Sequence, residues 1–448
     1  MNARVSTRIV SIAALFVGCS EAPREEALGQ GTGGTAPITT ATDGTTEAPE
    51  DVSTGEPDKI DLPDDGPSHD PSACVEGDFD FIWIANSGWD QLSKIHTRDA
   101  VELARYTSGP GETPDPSRTS VNLQGDVAVA NRREGGVSKF AASLDRCVDR
   151  NNNGVIDTSQ GPDDVLPWGE DECMLWNYPL PGMFWEGATG GPRALAWDAN
   201  AQPTPDGGCV HEPRLWVGWL SLQDPTVGVI VRLDGETGEE LDRLELPDWQ
   251  GFFGHGPYGG AVDDHGGFWA VDTGSGLAHI DQDTLEVRRW YSDLDATFYG
   301  IAVDDRGTVW LAGHGGSLYS FDPDTEQFSI AAFMGDYPGG STRLRGLAVD
   351  RERQVWIAAN NPCQLVQYDI DSGAVVDHAI PLAGCGQPVG ISIDNEGMVW
   401  VVDQDGDRAY RVDPTTYETV TVENLVGPYT YSDMTGGGLR LVADPPVG

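Results

Sequence analysis

Positive charge is scarce in this sequence. Lysine and arginine together number 27 against 72 aspartates and glutamates, a formal net charge of −45 at pH 7. A surface of that sign is repelled by phosphate backbones, so a nucleic-acid partner is excluded, while cations are natural partners. Long apolar runs are missing too. The run Ile9–Val17 falls well short of the ~20 residues that cross a bilayer as a helix. No window carries the heptad or i, i+3, i+4 apolar spacing of a long helix. There is no C-x-x-C, which removes zinc ribbons and thioredoxin-type redox sites. What remains is 57 glycines among short apolar stretches, the composition of a turn-rich β protein. At 448 residues the chain has room for one large repeat domain or for two or three ordinary ones.

The N-terminus reads as an export signal rather than as fold. Arg4 and Arg8 precede the short apolar run, which ends in Phe16-Val17-Gly18-Cys19. That ending resembles a bacterial lipobox, which implies lipidation at Cys19. Phe16 departs from the usual Leu three residues before the cysteine. Ser20 follows the cysteine where an Asp would signal inner-membrane retention, so the resemblance implies an outer-membrane anchor. The expected organisation is a signal peptide over 1–18, a linker over 19–73 and a folded domain over 74–448. The linker is acidic and rich in Gly, Thr and Pro, with few bulky apolar residues. It cannot bury enough surface to offset its chain entropy and is expected to be a disordered tether.

With Cys19 assigned to lipid, six cysteines remain, an even number in an exported chain. They allow fifteen pairings. The nearest-neighbour choice is Cys147–Cys173 and Cys363–Cys385, leaving Cys74–Cys209.

One pattern recurs through the folded part. Gly259-Gly260-Ala261-Val262-Asp263 leads to Trp269, and Gly300-Ile301-Ala302-Val303-Asp304 to Trp310. Gly346-Leu347-Ala348-Val349-Asp350 leads to Trp356, and Gly390-Ile391-Ser392-Ile393-Asp394 to Trp400. Gly and Trp are ten residues apart in each copy, and the tryptophans follow one another at 41, 46 and 44 residues. Several short strands at such a period are the mark of propeller blades. Three degenerate copies precede them, around Trp83, around Ala128 in the tryptophan position, and over Arg193–Asp198 leading to Trp216 across an insertion. Each repeat continues with Asp-x-x-Thr/Ser, as in Asp281 to Thr284, which suits a tight turn before a fourth strand. The expected fold is all-β, a seven-bladed β-propeller of four-stranded antiparallel blades. The first repeat lacks its inner strand and the chain ends on an extra one, Thr430–Met434. The C-terminal strand is therefore expected to close the ring on blade one, and the repeated tryptophans to pack between blades.

These blades resemble those of NHL-type propellers and of streptogramin (virginiamycin B) lyases, over residues 79 to 443 and best from Gly259 onward. The ending Gly427–Gly436 is similar to a closing segment of myxobacterial surface lipoproteins. Streptogramin lyases imply a histidine base beside glutamates that hold Mg²⁺. The Trp-Phe-Thr-Glu strands typical of them are absent here, as is any Glu-x-His. The resemblance thus implies the fold more than the activity.

An insert over 147–173 carries Asp149-Arg150-Asn151-Asn152-Asn153-Gly154-Val155-Ile156-Asp157. Asp149, Asn151, Asn153, the Val155 carbonyl and Asp157 match the opening of an EF-hand-like loop, with Gly154 for the sharp bend. Gln160 stands where that loop has its bidentate Glu, and Asp163 or Asp164 is an alternative donor. A structural Ca²⁺ is expected here. The competing reading is an Asn-rich turn without metal.

Propeller ligands sit at the mouth of the central channel. Repeat register places Arg118, Arg193, Tyr258, Tyr299, Arg345 and Tyr431 at the starts of inner strands there. Asn86, Asn131, Arg132, Trp219, Asp272, His314, Asn360 and Asp403 fall at the ends of second strands, with His255, Trp185 and Glu186 on neighbouring loops. Arginines converging in so acidic a chain suit a carboxylate, phosphate or sulfate, and tyrosines suit sugar or aromatic stacking. They also suit simple neutralisation of blade aspartates. His314 and His255, with Asp272 or Asp403, are the candidate catalytic groups. The expected function is a monomeric surface binding module for a glycan, peptide or protein. A metal-assisted lyase and a purely structural envelope protein are the alternatives.

Overall fold

Where the Gly-x-x-x-Asp…Trp unit repeats, the chain folds into repeated sheets. The computed structural model describes residues 74, 79–134, 136–180, 191–204, 209–249 and 255–446. The signal peptide, Cys19, almost all of the linker, Trp185 and Glu186 lie outside the described residues.

Six blades are four-stranded antiparallel sheets in simple up-and-down order. Named from their inner strands outward, blade 2 has Pro116–Val121, Val127–Asn131, Val137–Phe140 and Met174–Tyr178. Blade 3 has Ala194–Trp197, Arg214–Leu220, Gly228–Asp234 and Glu240–Leu246, with a small hairpin of Ala201–Pro203 and Cys209–His211 between its first two strands. Blades 4 to 7 begin at Gly259–Val262, Phe298–Val303, Arg343–Val349 and Pro388–Ile393. Blade 1 has three regular strands, Phe81–Asn86, Gln91–His96 and Val101–Thr107.

The C-terminal segment takes blade 1's inner place, as expected from sequence. It does so with few ladder bonds. Asn86 bridges Pro428, the Tyr429 N–H donates to the Ala85 carbonyl at 3.0 Å, and the Trp83 N–H to the Met434 carbonyl at 3.0 Å. Pro428 has no N–H to give, and Gly436, at φ 79°, turns the chain into a helix over Gly437–Ala443. That helix plugs the channel end where the inner strands finish, with Leu439 facing a cavity of about 60 Å³ between the strands. Among the described residues no helix is long and apolar enough to cross a membrane.

The repeat motif has a physical explanation. The Asp carboxylate accepts the indole N–H of the Trp six residues later: Asp263–Trp269 at 3.0 Å, Asp304–Trp310 at 2.9 Å, Asp350–Trp356 at 2.7 Å and Asp394–Trp400 at 2.9 Å. Its other oxygen accepts backbone N–H groups of the turn between the two strands. One carboxylate thus shapes the hairpin and satisfies a buried indole. The glycine is required because inner strands converge on the axis. A Cβ at Gly300 would lie 2.3 Å from the Arg345 carbonyl oxygen, and one at Gly390 1.8 Å from that of Thr430. The Asp-x-x-Thr/Ser turns form as read, with the Asp281 carboxylate accepting from the Thr284 N–H at 2.8 Å and hydroxyl at 2.8 Å.

Three disulfides form, Cys74–Cys209, Cys147–Cys173 and Cys363–Cys385, the pairing expected from nearest neighbours. Such bonds persist in oxidising compartments and fit an exported protein.

Candidate functional site

The inner strands all start at one end of the channel, and their first side chains meet there. Strand register sets Arg118 opposite Ala130 just as Gly300 stands opposite Ala312. Arg118 therefore occupies the position that is glycine in blades 4 to 7 and alanine in blade 3. A long side chain where the other blades have none fills the channel. Its guanidinium lies 3.1 Å from the Tyr431 ring centroid and 4.8 Å from that of Tyr258, and its exposure is 0%. It donates to the carbonyls of Ser117 at 3.2 Å and Tyr258 at 3.4 Å, and its Nε has no hydrogen-bond partner. Burial, opposed by the nearby tyrosines, pulls its pKa down to about 10.

Four tyrosines surround it. Tyr258, Tyr299 and Tyr431 are three of the mouth residues read from register. The fourth, Tyr429, was missed, although it lies two residues before Tyr431 and so on the same side of an extended chain. Its hydroxyl is bonded to that of Tyr258 at 3.1 Å and of Tyr299 at 2.6 Å. Arg345 donates to the Tyr299 hydroxyl at 2.9 Å, to Asn360 Oδ1 at 2.9 Å and to Gln387 Oε1 at 3.0 Å. Arg193 lies 5.3 Å from the Tyr258 ring and Arg132 4.7 Å from that of Tyr429. Arg132 pairs with Asp115. Among the described residues neither Arg118 nor Arg345 has a carboxylate within salt-bridge distance. The six nominated from inner-strand starts are thus brought together with Arg132, nominated at a second-strand end, and Tyr429 and Gln387 join them.

The candidate catalytic groups gather less well. His314 stacks on Tyr299 at 5.5 Å and His255 on Tyr258 at 5.0 Å. Burial, followed by the charges of Arg345 and Arg343, lowers the His314 pKa to about 4, which suits a polar wall better than a base working near neutrality. Asp272 accepts from the N–H groups of Gly274 at 2.7 Å and Gly276 at 2.9 Å, and burial raises it to about 6. Asp403 accepts from the N–H groups of Gly386 and Gln387. Both carboxylates are occupied in holding turns of their own blades.

In the insert, Asp149, Asn151, Asn153 and Asp157 turn toward one another. Asp157 Oδ2 lies 2.7 Å from the Asn151 amide and 3.0 Å from that of Asn153, and Asp149 accepts from the Gly154 N–H at 2.9 Å. Gln160 turns its amide to the Thr158 carbonyl, and Asp164 accepts the Gln160 N–H. Glu172 and Asp171 bind the loop's backbone from behind. Among the described residues no group of three or more His, Cys, Asp or Glu gathers to hold a metal. The insert's set is two carboxylates with two amides and the Val155 carbonyl, hard oxygen donors of the kind Ca²⁺ takes.

No family model matches the sequence, and no curated protein does. Among solved structures the chain is similar to virginiamycin B lyase from Staphylococcus aureus, at 13% identity and a TM-score of 0.49, over 72% of this chain and 90% of that one. A streptogramin B lyase structure is similar at 13% identity and a TM-score of 0.47, over 73% and 88%. A protein of unknown function from Bacteroides caccae follows at 14% and 0.41, over 67% and 93%. The resemblance read from the blades is met at the level of the propeller fold, which the sheets establish by themselves. No activity is carried across.

Proposed function

We propose that this chain is an exported, lipid-anchored binding module that receives its ligand at the tyrosine–arginine mouth. Export and a surface position follow the three disulfides and the lipobox-like Cys19. The tether over 19–73 would hold the propeller away from an outer membrane. The observation that carries the reading is Arg118. A fully buried guanidinium with no carboxylate beside it among the described residues opposes folding, since desolvating a charge costs several kcal/mol unless it is paired. Nothing in the blade repeat calls for it, because other blades close the same position with glycine or alanine. A costly group at the focus of a ring of mouth residues is what a binding site needs and a scaffold does not.

The test uses the half-buried Arg345, whose replacement leaves the closing seam alone. Purified protein is expected to retain a surface glycan or protein from envelope extracts and arrays. Arg345→Ala is expected to weaken that retention at least about tenfold, the loss of a charge-assisted hydrogen-bonding group. Equal retention by wild type and variant would remove the support for the mouth.

The same reading gives the insert a structural Ca²⁺, held by Asp149, Asn151, Asn153, the Val155 carbonyl and Asp157. With only two carboxylates, affinity should fall in the weak extracellular range of roughly 0.1–1 mM, so about 10 mM Ca²⁺ is expected to stabilise the fold by some 1.4–2.7 kcal/mol. Scanning calorimetry with and without a chelator checks this, and Asp149→Ala should abolish the difference. An unchanged transition in wild type would leave the insert an Asn-rich turn.

A further inference from the structure

The geometry points to an oxyanion as the group this mouth takes, a carboxylate, sulfate or phosphate, with Tyr429 as its internal competitor for the same positive charge. This inference rests on the reading that the mouth is the ligand site.

Three phenols share two hydrogen bonds, and Tyr429 is the centre of both. Arg345 donates to the Tyr299 oxygen, so the Tyr299 proton can turn toward Tyr429. The Tyr258 hydroxyl has Tyr429 as its partner and can donate there as well. Either oxygen of each pair can be the donor, so three phenolic protons serve two hydrogen bonds and one is left over whichever way they turn. A phenolate at Tyr429, the oxygen bonded to both of the others, removes that surplus and accepts from each.

The surrounding charge favours the same species. Arg118 and Arg132 face Tyr429 from blade 2, and Arg193 acts on it from blade 3. Tyr258, with His255 stacked on it, comes from blade 4, and Tyr299, with His314 stacked on it, from blade 5. Arg345 reaches in from blade 6, Gln387 from the start of blade 7, and Tyr431 packs alongside from the closing segment. Asp115, on Arg132, is the carboxylate at the edge of this set. Burial pushes the Tyr429 phenol up, but Arg118, Arg193 and the two hydroxyl donors outweigh it and bring the pKa down to about 8. Tyr258 is pushed up to about 12, mainly by burial.

Among the described residues Arg118 has no carboxylate beside it, so its charge can be met by a built-in phenolate or by a ligand. With Tyr429 protonated, an incoming anion meets the Arg118 charge. With Tyr429 ionised, the phenolate supplies the negative charge and repels the anion. Anion binding and Tyr429 protonation must then favour each other reciprocally.

The experiment is a spectrophotometric titration of tyrosinate in the full protein, with and without sulfate, phosphate or acetate. One tyrosine is expected to ionise near pH 8, ahead of the rest. At least one of the three anions should move that step upward by about one pH unit when saturating, and its affinity should then fall about eightfold between pH 7 and pH 10. Tyr429→Phe should remove the early step and flatten the affinity profile. The wild-type titration decides the matter even if that variant folds poorly. No early step, or one that none of the anions moves, overturns the inference. Should the anions fail while Arg345→Ala still releases a surface ligand, the inference falls and the mouth stands. Should an anion move the step while retention ignores Arg345→Ala, the linkage stands and the mouth reading falls.

Discussion

Gly390→Ala is expected to destabilise the propeller by about 3 kcal/mol, at the upper end for a single added methyl group. The reason is local. A Cβ at Gly390 would sit 1.8 Å from the Thr430 carbonyl oxygen and 2.8 Å from its carbonyl carbon, and neither can swing aside as a side chain would. The glycine has to give, or the closing segment has to move. That segment is held to blade 1 by one bridge and three scattered backbone bonds, from the N–H groups of Trp83, Gly88 and Tyr429, rather than by a full ladder. The ring should therefore yield at this seam. The corresponding glycines of blades 5 and 6 face backbone at 2.3 Å and 2.6 Å, but between inner strands that are each paired in a regular sheet. Gly315→Ala is the control, since nothing lies within 4 Å of a Cβ there. Urea denaturation of the two variants should separate them by most of the expected 3 kcal/mol, with a less cooperative transition for Gly390→Ala. Coincident curves would mean that the seam absorbs a methyl group, and closure would then be looser than the hydrogen bonds suggest.

The repeat was readable because each blade solves the same problem with the same residues. Glycine allows the close approach at the axis, and Asp and Trp shape and fill the hairpin beside it. The Asp–Trp hydrogen bond itself was not read, although the six-residue spacing recurs in four blades. Spacing shows that an aspartate and a tryptophan recur together, but not that the carboxylate faces the buried indole N–H. The mouth was readable for a related reason, since register alone brings residue 118 near residues 258 and 431. Tyr429 escaped because it precedes the repeat position by two and no other blade has a counterpart to it. The helix over Gly437–Ala443 escaped because seven residues beginning with two glycines give no periodicity to detect. Asp272 and Asp403 mark a limit of another kind. Register shows that a carboxylate stands at the mouth. It does not show whether the oxygens face the channel or the backbone of their own turn.

Blade 2 shows what happens when the repeat loses its tryptophan, and it yields the second large expected effect. Ala128 stands in the tryptophan position and Asn122 in that of the aspartate, where Asn122 Oδ1 accepts the N–H groups of Gln124 and Asp126. Lys139, on the next strand, is fully buried there. Its Nζ lies 3.2 Å from Oδ2 of Asp126, which is also fully buried, and it donates to the Gly235 carbonyl of blade 3 at 2.8 Å. Its position 5.5 Å from the Trp197 ring adds a cation–π contact. Arg146 binds the same carboxylate from the solvent side at 2.6 Å. An ion pair thus stands where the other blades have an indole, and a buried pair is costly to break from one side because the surviving charge stays desolvated. Lys139→Met keeps most of the volume and removes the charge, and is expected to cost about 3 kcal/mol. Arg146 already compensates Asp126 in part, which keeps the figure at the lower end. In an Asp126→Asn background the same replacement should cost no more than about 1 kcal/mol, since no buried carboxylate is left unpaired. The difference between the two costs, measured by denaturant unfolding, is the coupling. Equal costs would mean that Lys139 matters for what its stem packs against under Trp197, and the blade would then owe its missing tryptophan's place to volume rather than to charge.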